Sequence, residues 1–361
     1  MLVYVNCSMS IRSIARELGV SATAVSLALK DSTRVSPALR ERVRRAARAA
    51  GHVPNARLAE LMQEVRRSAQ PAYRGTLGVI ALFPEEEPWR ERPEWGHLGR
   101  FAAGARARAA ELGYKLEHFW LKRPGMTPAR LRAILEARGI AGLLCLGSLE
   151  PEEMFPVSLR RFAVVTQGAS VVGPLHRVQS HFAADARRLY GELLRRGYRR
   201  PGLCILATGD RRTDHLYTAT LLELQTRLLV APAVPILLAE TWDKGKFGAW
   251  FDAHRPDAIV LHQHGPFLAG LEGALSERRL RVPRDIGLAL LDLNPNPSRY
   301  AGVIQNFERM GATAVEMLLG RILLREFSAP PHPKIEVVLG MWNEGRTLRA
   351  PVKSRRSTGR R

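Results

Sequence analysis

The chain has little cysteine, and what it has is not arranged for chemistry. Cys7, Cys145 and Cys204 form no C-x-x-C pair and stand at no Cys/His metal spacing, which argues against a disulfide framework and a zinc site. Cys145 and Cys204 lie in the apolar runs GLLCLG and GLCILA, so both read as buried thiols in a reducing compartment. No run approaches the roughly 18 apolar residues that cross a bilayer. The opening MLVYVNCSMS lacks a basic n-region, a full apolar stretch and a small-residue cleavage site, so it does not read as a secretory signal. Residues 1–9 are expected to be a disordered extension, and the protein to be cytoplasmic. G-x-S-x-G, Walker A and a strand-borne G-x-G-x-x-G are all missing, so no enzyme class, no cofactor and no metal is expected. Acidic residues are scarce too. With 34 Asp and Glu against 55 Lys and Arg, the formal net charge is +21, and an anionic partner must be considered. An arginine-rich coding bias would give the same total, so distribution matters more. Basic residues crowd the first 75 positions and the last nine.

What is present has two textures. A length of 361 residues suggests more than one folding unit, and 46% hydrophobic content suffices for a core. Residues 10–50 read as three short helices. Ser10 can cap a helix from Ile11 to Leu18, and Gly19 ends it. Ser21 can cap a second helix over ATAVSLALK. Ser36-Pro37 is a strong start for a third, which runs to about Ala50 before Gly51. Pro54-Asn55 opens another short amphipathic segment, and residues 70–75 read as a linker. From Thr76 onward, apolar runs such as TLGVIALF, GIAGLLCLG, RFAVVTQG, RPGLCILA, DAIVLHQH and IGLALLDL alternate with helical segments. Continuous apolar strands between helices imply parallel sheets covered on both faces. Residues 76–345 are too long for one comfortable α/β unit, so two are expected.

The segment IRSIARELGVSATAVSLAL has the pattern of a helix-turn-helix. That motif needs a small residue where the first helix ends, apolar contacts between helices and a capped, exposed second helix. Gly19, the set Ile14, Leu18, Val20 and Val25, and Ser21 fill those roles. The start of the second helix then presents Ala22, Thr23, Ser26 and Leu27 to a major groove. Ala22 and Leu27 can touch thymine methyls, and Thr23 and Ser26 can hydrogen-bond to a base or phosphate. Arg34, Arg40, Arg42, Arg44, Arg45 and Arg48 could neutralise phosphates. A plain three-helix bundle with solvated arginines shares part of this pattern; the spacing and N-terminal position favour DNA reading.

Together with RVSPALRERVRRAARAAGHVPN, this segment closely resembles the LacI family of bacterial transcription regulators. The resemblance spans roughly residues 10–345 and is most specific in the first 60. It implies an α/β protein with an all-α helix-turn-helix headpiece (10–56) and a hinge helix and linker (57–75). A periplasmic-binding-protein-like type 1 core with parallel sheets follows (76–345). That core would divide into an N-subdomain at about 76–179 and 305–330 and a C-subdomain at about 180–304 and 331–345. A basic disordered tail (346–361) would end the chain. In the family, hinge helices after the Pro-Asn pair form on operator DNA, and a leucine from each wedges into the minor groove. Asn55 and Leu61 stand at those positions here, and an apolar wedge of this kind unstacks and bends the duplex. An ordinary helix contact is the alternative for Leu61. Leu27 and the Ala22/Thr23 pair depart from the basic or amide residues often found there. Leu58 departs from the small alanine usual in the hinge.

The resemblance also implies a small ligand between the subdomains, at the C-terminal ends of strands. Trp89, Gln167, Arg211, His215, Trp242, Gln263 and Asp292 follow such strands and are the candidate effector contacts. Trp89 and Trp95 could equally cap the core. Asp292 falls where sugar-binding members place a carboxylate. Gln263 falls near a common asparagine, and His215 near the usual arginine, without reproducing it. No third ligand is spaced with the His262 and His264 pair, which argues against a metal site. The expected partners are a palindromic DNA operator, a small effector, a sugar or related metabolite, and a second copy of the chain. The ending APVKSRRSTGRR has no leucine heptad, so dimers are expected rather than tetramers. A solute-binding protein of similar architecture is the alternative reading.

Overall fold

The computed structural model describes residues 11–29, 35–49, 73–84, 86–90, 95–148, 150–156, 159, 161–227, 233–262, 265–293 and 299–351. The expectations placed on residues 1–9, Arg34, Asn55, Leu58, Leu61 and Gln263 lie outside them, as do the side chains of Ser26 and Arg48. The chain forms two compact units, Met1–Ala72 and Tyr73–Arg361.

In the first unit three helices surround a small core: α1 (Ile11–Leu18), α2 (Ala22–Leu29) and α3 (Pro37–Ala49). The turn between α1 and α2 follows from Gly19, whose φ of +64° suits a residue without Cβ. Val20 N donates to Ala15 O at 3.0 Å and Gly19 N to Arg16 O at 3.4 Å, the paired bonds of a Schellman ending. Ser21 Oγ then accepts from Ala24 N at 3.1 Å, and Ser36 Oγ accepts from Leu39 N at 3.3 Å, so these two of the three expected caps are in place; Ser10 lies outside the described residues. Ile14, Val25, Ala28 and Val43 are buried between the helices.

The second unit alternates strands and helices. Its first part holds β1 (Gly75–Ala81), α4 (Gly96–Glu111), β2 (Tyr114–Trp120), α5 (Pro128–Ala137) and β3 (Gly142–Cys145). β4 (Glu153–Met154), β5 (Ala163–Gln167), β6 (Val171–Val172), β7 (His176–Ser180) and α6 (Phe182–Arg195) follow. Next come β8 (Pro201–Leu206), α7 (Ala207–Arg212), α8 (Leu216–Arg227), β9 (Leu237–Ala239), α9 (Lys244–His254), β10 (Ala258–Leu261) and α10 (Pro266–Glu277). The unit closes with β11 (Gly287–Leu290), β12 (Ala301–Ile304), α11 (Phe307–Leu323), β13 (Ile335–Val338) and β14 (Met341–Asn343).

Twelve strands make two six-stranded sheets, ordered β13-β7-β5-β3-β1-β2 and β14-β12-β11-β10-β8-β9, and β4 pairs with β6 in a small third sheet. All pairings in them are parallel except β12 with β14. Every residue of β3, β5, β10 and β11 is buried, as continuous apolar runs require when helices cover both faces. In each six-stranded sheet the first strand (β1 or β8) lies between the second and third. The winding reverses there, and a crevice opens at the carboxyl ends. Helices α4 and α11 cover one face of the first sheet through Phe101, Met310 and Leu318, and α5 covers the other through Leu131 and Leu135. On the second sheet, Tyr190, Tyr217 and Leu221 pack one face and Phe247, Trp250 and Leu271 the other.

The chain passes between the sheets three times: at His181, at Gln305-Asn306 and at Leu339-Gly340. This corrects the expected boundaries. Residues 331–345 divide, because β13 pairs with β7 from Ile335↔Arg177 to Val338↔Ser180, and β14 alone joins the second sheet. The tail also begins later than expected. Thr347 Oγ1 donates to Leu288 O at 2.6 Å and accepts from Ala301 N at 2.9 Å, and Arg349 N donates to Tyr198 OH at 3.0 Å. Buried backbone groups near the starts of the inner strands β11 and β12 need those partners, and they hold the chain in place through Arg349.

Candidate functional site

Helix α2 is a short, capped element with one side in the core. Val25 and Ala28 turn inward, while Ser21, Ala22 and Thr23 are exposed. Leu27 is half-buried and packs against the core cluster of Ile14 and Val25, so less of it faces outward than of Ala22 and Thr23. Exposed Arg16, Arg42 and Arg45 and half-buried Arg40 and Arg44 give the headpiece its positive charge.

In the second unit a cavity of about 140 Å³ opens at the carboxyl ends of both sheets. Nearly every polar side chain lining it follows a strand. Ser148 follows β3, and Gln167 and Ser170 end and follow β5. Arg212 follows β8 by one turn of helix, His262 follows β10, Asp292 follows β11 and Gln305 follows β12. His97, in the first turn of α4, joins them, and Phe182 and Phe307 form apolar walls.

One lining residue, Gln305, is the centre of a buried polar node. Gln305 Oε1 accepts from Ser180 Oγ at 2.7 Å, and Gln305 Nε2 donates to Tyr217 OH at 2.7 Å. Arg100 Nη1 donates to Gln305 O at 3.2 Å, and its guanidinium stacks 4.8 Å from the Phe307 ring centroid. One crossing segment is thereby tied to the end of β7, to α8 and to α4. Ser148 N donates to Ser170 Oγ at 2.9 Å, which closes one side of the cavity. Burial lowers the pKa of Arg212 from its ordinary value, and the charges of Asp292 and Glu150 oppose that shift. Arg212 Nη2 stands 3.5 Å from His97 Nε2. Gln167 is 6% exposed, and its Oε1 is buried without a hydrogen-bond partner among the described residues.

Of the expected effector contacts, the cavity brings together Gln167 and Asp292. Arg211 is not in the lining; its neighbour Arg212 is. His215 turns to the outside, where its Nδ1 lies 2.7 Å from Asp210 Oδ2. Trp89 packs edge-on to Phe83, with centroids 6.4 Å apart, and lies over Gly99. Trp242 packs between Phe247 and Phe267 and over Gly270. Both tryptophans thus complete the cores beside the strands rather than line the cavity. Sequence reasoning passed over His97, Ser148, Ser170, Arg212 and Gln305. Ser148, Ser170 and Gln305 carried the strand-end signal that found Gln167; His97 carried none.

A family model described as bacterial regulatory proteins, lacI family, matches residues 10–55, and one described as periplasmic binding protein-like domain matches residues 190–347. Among solved structures, the chain is similar to a complex of the transcriptional regulator CelR with cellobiose (TM-score 0.54, 19% identity, covering 94% of this chain and 99% of that one). It is similar to the lac repressor dimer bound to operator and an anti-inducer (TM-score 0.54, 17% identity, 95% and 99%). It is also similar to the transcription regulator CcpA of Lactococcus lactis (TM-score 0.54, 13% identity, 76% and 98%). At these identities the likeness is one of fold. No curated protein sequence matches significantly.

Proposed function

The chain belongs to the lacI family of bacterial regulatory proteins and is a DNA-binding transcriptional regulator rather than an enzyme; from that premise we propose a homodimeric repressor of a palindromic operator, controlled by a small effector in the cavity. The observation that carries the DNA side is the capped, exposed start of α2, with Ser21 bound to Ala24 N and Ala22 and Thr23 facing outward. Ala22 and Leu27 supply methyl contacts, and Thr23 and Ser26 supply hydrogen bonds. Arg34 and the arginines of α3 hold phosphates. Asn55 and Leu61 serve the hinge, with Leu61 kinking the central step. Two-fold protein symmetry asks for a two-fold operator. On the effector side, Gln167 and Asp292 hydrogen-bond a sugar or related metabolite. A ligand that fits one arrangement of the two sheets better than another shifts the population, and with it DNA affinity. A solute-binding protein would have no use for residues 10–55.

The test is retention on DNA at controlled salt. The region upstream of the gene should be bound at least ~10³-fold more tightly than random duplex. Sequence-independent binding that vanishes between 50 and 200 mM salt, on the order of the purely electrostatic loss, would refute the proposal. Sedimentation at micromolar concentration should give a dimer, and a tetramer would contradict the assembly.

A further inference from the structure

We propose that the effector is a small hydroxy-carboxylate of single-sugar size, with its carboxylate on Arg212 and its hydroxyls on Gln167 and Asp292. The inference rests on reading this cavity as the effector site, and it narrows that reading from sugars in general to sugar acids.

Three observations converge. The first is the charge of Arg212. Its guanidinium lines the cavity, and among the described residues it forms no ion pair within 4.0 Å; its polar neighbour there is His97 Nε2 at 3.5 Å. Arg212 is half-buried, and the charges of Asp292 and Glu150 act on it without pairing with its fork, so a ligand anion finds guanidinium N–H donors facing the cavity. A carboxylate matches the guanidinium fork with two parallel charge-assisted bonds, which a neutral hydroxyl cannot do.

The second is Gln167. It is 6% exposed, lines the same cavity and leaves Oε1 without a donor. A buried acceptor in that state calls for an N–H or O–H from the ligand. A hydroxyl meets that need, and a bare carboxylate does not. Asp292, also in the lining, is a carboxylate that accepts hydrogen bonds from further hydroxyls. The ligand must therefore carry both an anionic group and donors.

The third is size and sign. The cavity holds about 140 Å³ between Phe182 and Phe307, close to the ~150 Å³ in which one benzene ring binds. One small ring or short chain fills that volume. The charges of Asp292 and Glu150 already act on Arg212. They oppose a second negative charge on the ligand, so a singly charged carboxylate is favoured over a doubly charged phosphate.

The experiment uses the full chain, with thermal shift and calorimetric titration of D-gluconate, D-glucuronate, D-glucitol, D-glucose and glucose 6-phosphate. Binding raises the melting temperature of the fold that is bound. At least one of the two acids should raise it, while glucitol and glucose should bind at least tenfold more weakly. Arg212→Gln should weaken the acid on the order of 10- to 100-fold, and Arg212→Lys should keep part of the affinity, with unliganded melting curves confirming that both variants fold. The proposal is overturned if no acid binds, if glucitol binds as well as gluconate, if the phosphate binds best, or if Arg212→Gln and Arg212→Lys both leave acid affinity unchanged. Neutral sugars that bind instead, and are weakened by Asp292→Asn, would leave the effector cavity standing without its anionic character. Ligand binding insensitive to substitution at both Arg212 and Asp292 would remove the cavity reading as well.

Discussion

Asp185 shows how one buried carboxylate writes a pH dependence into this fold. It sits in the first turn of α6 at 1% exposure. Its Oδ1 accepts from Gly340 N at 2.9 Å, and its Oδ2 has no partner among the described residues. Burial raises its pKa from 3.8 to about 6; the Gly340 N–H, His181 and Arg188 oppose the shift, and Asp292 adds to it. The folded-state pKa lies above the unfolded one. Its stabilising contribution is therefore complete below pH ~4 and is lost as pH rises through about 6. Two pKa units correspond to roughly 3 kcal/mol. Asp185→Asn keeps an acceptor for Gly340 N and removes the charge. It should flatten the stability profile between pH 4.5 and 7.5 and add about 1–2 kcal/mol at pH 7.5, allowing for an unpaired amide N–H. Urea midpoints across that range would test this, and parallel profiles for both proteins would refute it. Residues of this kind also mark where sequence reading stops. Gln167 and Asp292 were legible because each ends an apolar strand run. Arg212 was missed for Arg211 because adjacent helical residues point about 100° apart, and ATGDRR has no apolar periodicity to set the phase. Trp89 and Trp242 rest on Gly99 and Gly270, partners too distant in sequence for local pattern to reveal.

Between whole elements, the closest approach in the first sheet's covering layer depends on two glycines. A Cβ at Gly104 of α4 would lie 1.9 Å from Glu308 O, and one at Gly311 of α11 would lie 2.1 Å from Phe101 O. Each glycine thus admits the other helix's backbone, and backbone cannot rotate away as a side chain can. Gly311→Ala should destabilise by about 1–3 kcal/mol or more, as overpacking does. Gly320→Ala in the same helix meets nothing within 4 Å. It should be neutral or stabilising by up to ~1 kcal/mol through helix propensity. Equal effects of the two substitutions on the denaturation midpoint would show that the crossing is not so constrained. The helices of the headpiece were readable because Gly19, Ser21 and Ser36-Pro37 punctuate them with local chemistry. The buried strands were readable from unbroken apolar runs. β13 was placed with the wrong sheet because Ile335, Glu336 and Val337 are exposed at a sheet edge, and an edge strand carries no burial signature to say which sheet it completes.

Across the whole molecule, the two units keep separate cores. The headpiece cluster runs from Ile14 to Ala47, and the clusters of the second unit begin at Leu77; none shares a residue with it. Among the described residues, the cores of the second unit take no residue from the first. A chain shortened to Tyr73–Arg361 should unfold in one cooperative transition and keep the thermal shift given by whichever ligand stabilises the full chain. It should lose discrimination between operator and random duplex, because the exposed start of α2 has gone. What DNA affinity remains should be weak, sequence-independent and less steep in salt, since fewer arginines displace counterions. Circular dichroism, thermal shift and duplex retention on the same sample separate the possibilities. A shortened chain that fails to fold would mean that the second unit requires the headpiece. One that still prefers operator would move sequence reading out of α2 altogether. If it keeps the ligand and loses the operator, sensing and reading reside in separately folded parts, and regulation must act through the segment that joins them.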